Sequence, residues 1–194
     1  MRVIGITGGV GSGKSAALDI LKEDLGAVLF IADDIGRQLM QPGQDCYRQI
    51  VNAFGRQILC GDGSIDRAAL AGMAFTDRSI LEKLNAIVHP AVISYIKEEL
   101  GASSGEKGIA VIESALLYES GLCALCDEVW YIHASEQSRI ERLEKSRGYT
   151  RQKCLDVMGN QHSDSWFLSK ADKVIENGGT IEQLAQQLAA AVCS

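Results

Sequence analysis

The sequence predicts an α/β fold: a five-stranded parallel sheet in a three-layer α/β/α arrangement. Two observations predict it. Five short apolar segments rich in Val and Ile, at residues 3–7, 27–31, 109–113, 129–133 and 173–176, alternate with stretches of helical length. Strands buried on both faces and joined by helical crossovers read this way. The first segment also runs straight into a glycine-rich turn followed by a helical pattern, so the sheet opens with a strand, a tight turn and a helix.

Each element has its local reason. The first helix is expected over 14–25, stopping at Gly26, a residue suited to the left-handed position past a helix end. Between the second and third strands lie about 75 residues with helical periodicity, where a crossover needs only about a dozen. They are expected to form an inserted helical subdomain. Gly101-Ala-Ser-Ser-Gly-Glu-Lys-Gly108 is a polar loop leading back to the sheet. Residues 135–161 read as two helices broken at Arg147-Gly148, with Thr150 capping the second and arginines at 139, 142, 147 and 151 forming a basic side. The last helix starts at Thr180, where Thr180-Ile-Glu-Gln183 fits a capping box, and its apolar residues at 181, 184, 185, 188 and 192 are expected to pack on the sheet. His89-Pro90 reads as a corner between helices, with Pro at the first helical position. Trp130 and Tyr131 read as core, and Trp166 and Phe167 either face a base or pack the foot of the arginine hairpin.

Composition narrows the function. The 194 residues are 46% hydrophobic with mean hydropathy near zero, enough to bury a full core. A net charge of −6 argues against a nucleic-acid surface, since phosphate backbones need many cations on one face. Any phosphate site is therefore local. The N-terminal apolar run is too short for a signal peptide, which points to the cytoplasm, with no membrane and no obligatory protein partner. The six cysteines have no disulfide-framework spacing and are expected to be reduced. Cys123-Ala-Leu-Cys126 lacks the second pair or histidine that a zinc site would need.

Gly8-Gly-Val-Gly-Ser-Gly13-Lys14-Ser15 is a complete G-x-x-x-x-G-K-S in the required context, after a buried strand and before a helix. This is the P-loop of nucleoside triphosphatases. Backbone amides from Gly8 to Ala16, including those of Gly11, Ser12 and Gly13, would converge on the phosphates of ATP, aided by the positive end of the helix dipole. Lys14 would neutralise the β and γ phosphates, and the Ser15 hydroxyl would ligate Mg²⁺. Asp33-Asp-Ile-Gly36 and Ser169-Lys-Ala-Asp172 mimic GTPase motifs, but the first follows Lys14 too closely and the second precedes a strand instead of following one. Asp33 lies just past the second strand, at the edge where ligands of open α/β sheets bind. There it either accepts the proton of an attacking hydroxyl or caps the next helix, with Arg37 four residues on.

Taken together, residues 8–15, Ala32-Asp33 with Arg37 and Pro42-Gly43, Leu84-Asn-Ala-Ile-Val-His89-Pro90, Glu113-Ser-Ala-Leu-Leu-Tyr-Glu119, and Ala171-Asp-Lys-Val-Ile-Glu-Asn177 occur in order over nearly the whole chain. In this the sequence resembles the dephospho-CoA kinase family. The resemblance implies a P-loop kinase similar to nucleoside monophosphate kinases, carrying the γ-phosphate of ATP to the ribose 3′-hydroxyl of dephospho-CoA. It implies one kinase domain, 1–194, with a core near 1–40, 105–135 and 170–194, a helical CoA-binding insert near 41–104 and a lid near 136–169. Catalytic roles fall on Lys14, Asp33 and Arg142, with Arg142 meeting the transferring group, and substrate contacts on Asp33, Arg37, His89 and Leu116. The chain departs from the family pattern at Ile31, Ala115, Ser146-Arg147 and Phe167. The rival readings are another small-molecule P-loop kinase, of nucleoside or shikimate type, and a non-catalytic nucleotide switch.

Overall fold

The computed structural model describes residues 1–102 and 108–194, which form two compact units, one from 1–30 with 105–194 and the other from 31–104. Most of the expected loop at 101–108 lies outside the described residues; Gly101 and Ala102 end a helix.

The sheet has the order β2-β3-β1-β4-β5, with β1 (Arg2–Thr7), β2 (Val28–Ile31), β3 (Ile109–Glu113), β4 (Glu128–His133) and β5 (Lys173–Glu176). It is parallel, and the registers set Ile6 beside Glu113 on one side and Trp130 on the other. The central strands have no solvent face, so their apolar runs are continuous. Ile4, Ile6, Val111, Ile112, Trp130 and Ile132 are all fully buried. At roughly 1.5–3 kcal/mol for each large apolar side chain removed from water, these strands supply much of the core's stability.

Helix α1 (Lys14–Glu23) follows the glycine-rich turn and buries Leu18 and Leu21, while Gly26 takes a left-handed φ of 66°. After β4 come α6 (Glu136–Arg147), α7 (Arg151–Gly159) and the short α8 (Asp164–Leu168). The break between α6 and α7 falls at left-handed Gly148, and Thr150 caps α7 through Lys153 N–H. Helix α9 (Ile181–Cys193) starts with the expected capping box and buries Leu184, Leu188 and Ala191 against α1 and β5. Its Ile181 is left half-exposed.

The second unit holds α2 (Ala32–Leu39), α3 (Asp45–Phe54), α4 (Arg67–Thr76) and α5 (Arg78–Ala102) around its own core of Cys46, Ile50, Phe54, Ile58, Ile65 and Leu70. The corner expected at His89-Pro90 is absent. Helix α5 runs through Pro90. Proline costs one hydrogen bond and crowds the preceding turn, but Ile87, Val88 and Ala91 pack against the same apolar core, Val92 is buried, and Pro90 itself faces solvent. Packing on both sides of Pro90 overrides the local breaker. Among the described residues, no helix is long and apolar enough to cross a membrane.

Candidate active site

The phosphate loop is shaped by where its glycines sit. Strand β1 ends in buried Thr7, and the chain turns over residues 8–13, closed by Ser12 N–H donating to Gly9 C=O at 3.1 Å. Gly13 is the N-cap of α1 at φ 91°, left-handed backbone that side chains rarely adopt, and a Cβ there would also collide with the Asn177 amide. No side chain caps the helix start. The first-turn amides around Ser15 and Ala16 are therefore left for an anion, with the helix dipole behind them. Ser15 is exposed at this mouth and Ala16 half-buried.

Lys14 Nζ donates to Gly8 C=O at 2.8 Å and lies 3.9 Å from Glu113 Oε1, both side chains being largely buried. The Lys14 cation thus sits at the loop, beside a carboxylate at the end of β3. A Cβ on Gly9 would strike the Arg139 guanidinium, which lies against the loop.

The back of the loop is held by two arginines of α6. Arg139 Nε donates to Val10 C=O at 2.9 Å. Arg142 donates to Ser12 C=O at 2.9 Å, to Gly11 C=O at 3.4 Å and to Asn177 C=O at 2.5 Å. Buried Asn177 adds a bond from its Nδ2 to Ser12 C=O at 2.8 Å. Three successive carbonyls, 10 to 12, are thereby taken up on one face by charged donors. This fixes the peptide planes that carry the Gly11 and Gly13 N–H groups, while Ser12 N–H stays on Gly9 C=O. Arg142, expected to meet the transferring group, has its guanidinium on backbone oxygens that no sequence pattern marks as partners.

Leu116, in the loop after β3, is half-exposed and borders a cavity of about 210 Å³ together with Ala115, Glu119, Gln161, His162 and Phe167. Trp166 stacks on His162 with ring centroids 3.9 Å apart, and buried Phe167 stacks on Tyr131 at 4.9 Å. Both aromatics thus rest on rings of the protein. Burial pushes the Tyr131 phenol up, and its hydroxyl donates to Asp164 Oδ1 at 2.6 Å.

Asp33, Arg37 and His89 belong to the helical unit. Helix α2 begins at Ala32 with Ile31 as N-cap, so Asp33 is an exposed first-turn residue and does not cap the helix. Arg37 pairs with Asp34 at 2.6 Å. His89 is half-buried in α5. The GTPase-like Asp172 ties down the sheet instead, its carboxylate accepting from Val129 N–H at 2.7 Å where β4 starts. Cys123 and Cys126 are free thiols, and burial pushes Cys126 up to about 12.

The structure brings together Gly8, Gly11, Ser12, Gly13, Lys14, Ser15, Ala16 and Arg142. Residues that sequence reasoning left without a role are Glu113, Asn177, Arg139, Gln161 and Asp164. Glu113 and Asn177 stand inside recognisable motifs, whereas Arg139 was legible only as part of a basic side and Asp164 gave no signal.

A dephospho-CoA kinase family model matches residues 2–183. A dephospho-CoA kinase of Geobacillus kaustophilus is 40% identical over 189 residues, covering 96% of this chain and 93% of that protein. One from Carboxydothermus hydrogenoformans is 37% identical over 188 residues, covering 96% and 90%. The crystal structure of TT1252 from Thermus thermophilus superposes with a TM-score of 0.82 at 29% identity, covering 99% of this chain and 96% of that one. Matched over nearly its whole length, the chain belongs to the dephospho-CoA kinase family of ATP-dependent kinases.

Proposed function

We propose that this chain phosphorylates the ribose 3′-hydroxyl of dephospho-CoA with ATP, the last step of coenzyme A synthesis. The observation that carries the proposal is the uncapped start of α1 behind the glycine loop, with Lys14 beside it and the loop carbonyls held by arginines. That is a preorganised cradle for a triphosphate, joined to a family match over nearly the whole chain.

In the reaction the 3′-oxygen attacks the γ-phosphorus, the new O–P bond forms in line as the bond to the β–γ bridging oxygen breaks, and ADP leaves. Lys14 and the loop amides meet the phosphate charge. Asp33 takes the hydroxyl proton, a role supported by its place just past β2 and by its freedom from helix capping. Arg142 contributes by holding the loop carbonyls. Leu116 offers apolar surface to the acceptor, and Arg37 and His89 serve it from the helical unit.

Mg²⁺ fits the donor set in one particular way. Among the described residues no group of three or more His, Cys, Asp and Glu could hold a metal, so the ion would arrive with the ATP phosphates and take the Ser15 hydroxyl as a protein ligand. It would neutralise charge on the β and γ phosphates. We further read the helical unit as a CoA-binding insert and 136–169 as the lid. The substrates are small molecules, without nucleic acid, membrane or obligatory protein partner, and the reaction is placed in the cytoplasm.

The test is ATP consumption with a panel of dephospho-CoA, nucleosides and shikimate. Turnover with dephospho-CoA alone is expected. Turnover with another acceptor would support a different small-molecule kinase, and slow hydrolysis indifferent to every acceptor would support a nucleotide switch.

A further inference from the structure

The tip of the phosphate loop is held by a chain of polar groups that ends far from the phosphates. Val10 is held at both of its main-chain polar atoms: its N–H donates to Gln161 Oε1 at 2.8 Å and its C=O accepts from Arg139 Nε at 2.9 Å. Its side chain packs with Ile140, Leu143 and Cys154 of the α6–α7 hairpin. Arg139 is only 7% exposed, and a buried guanidinium is stable only when paired and hydrogen-bonded. Its partners are Gln161 Oε1 at 3.3 Å and Asp164 Oδ1 at 3.4 Å, the carboxylate being its one charged partner among the described residues. Asp164 is itself fixed. It opens α8, receives the Tyr131 hydroxyl from β4, and is followed in the helix by Phe167, which stacks on the same tyrosine. His133 Nε2 lies 3.7 Å from its second oxygen.

We propose that Asp164 is a positioning residue for ATP, acting through Arg139 on the tip of the phosphate loop. The carboxylate keeps the guanidinium against Gly9 and bonded to Val10. Both polar atoms of Val10 are then fixed before ATP arrives, and the loop does not have to order itself on binding. With the negative charge removed, the buried cation loses its counter-ion and is free to leave the Val10 carbonyl, so ATP meets a looser cradle.

The proposal rests on the P-loop being the ATP site, and the experiment separates the two. ATP affinity by calorimetry, kcat, both KM values and the melting temperature are measured for wild type, Asp164→Asn, Arg139→Met and the double variant. Asp164→Asn keeps an acceptor for Tyr131 but loses the charge. It is expected to weaken ATP binding about tenfold, with kcat and the KM for dephospho-CoA at saturating ATP within about twofold. In the Arg139→Met background the same change should add nothing to the ATP affinity, because the effect travels through Arg139. A folded Asp164→Asn protein that binds ATP as wild type does, or two effects that simply add, would overturn the proposal. Should Asp164→Asn show no melting transition, Arg139→Lys decides: it keeps a cation for Asp164 but loses the Nε donor, and unchanged ATP affinity would refute the link to Val10. A wild type that binds no ATP would overturn the P-loop reading itself.

Discussion

Replacing Arg142 with alanine separates two accounts of its role. In the structure its guanidinium makes two short bonds, to Ser12 C=O at 2.9 Å and Asn177 C=O at 2.5 Å, and a long one to Gly11 C=O at 3.4 Å. Bonds from a charged donor contribute about 1.5–3 kcal/mol each when well shielded. Arg142 is only partly buried and Ser12 C=O keeps its bond from Asn177 Nδ2, so a discounted sum of about 2 kcal/mol is the reasonable figure. For a chain of this size that lowers Tm by roughly 4–8 °C. If most of it is spent ordering the loop, ATP affinity falls by roughly 10–30-fold, while kcat at saturating ATP falls by less than about tenfold. Calorimetry with ATP, steady-state kinetics and a melting scan on one preparation make the measurement. A variant with unchanged Tm and ATP affinity but a kcat lowered by about a thousandfold would refute the clamp, since that is the signature of a guanidinium met only in the transition state.

Three further outcomes are expected. Lys14→Ala should abolish ATP-dependent turnover while the protein still melts cooperatively, because its bond to Gly8 C=O serves the loop and not the apolar core; full activity would exclude the P-loop account. Asp33→Asn should lower kcat by roughly 10²–10⁴ with stability changed by less than about 1 kcal/mol, the scale of a first-turn charge at a helix dipole. Transfer surviving within a few-fold would leave Asp33 an orienting group only. In folded protein near pH 7, iodoacetamide should label exposed Cys60 and Cys193 far faster than Cys126, whose thiol, pushed up to about 12, is protonated there. Equal rates at Cys126 would contradict that burial.

What was legible in the sequence is what short-range chemistry dictates. The capping box at Thr180, the break at Gly148, the cap at Thr150 and the phosphate loop each depend on a few adjacent residues, and each stands where spacing put it. Long-range partners were not legible. Arg139 and Arg142 bond to carbonyls some 130 positions away, and a backbone carbonyl carries no residue identity that a pattern could reveal. Pro90 misled for the complementary reason: its local rule is real, but the packed face of α5 outweighs it. At Asp33 the helix simply begins two residues earlier than a capping role requires.

The central claim is transfer to one particular oxygen, and the most direct measurement is ³¹P NMR of the reaction of this chain with ATP and dephospho-CoA. One new phosphomonoester resonance is expected, coupled to the ribose 3′ proton and growing in step with ADP, and no product from an acceptor analogue that lacks the 3′-hydroxyl. ADP released with inorganic phosphate instead of a ribose ester, or product formed from the 3′-deoxy analogue, would contradict it.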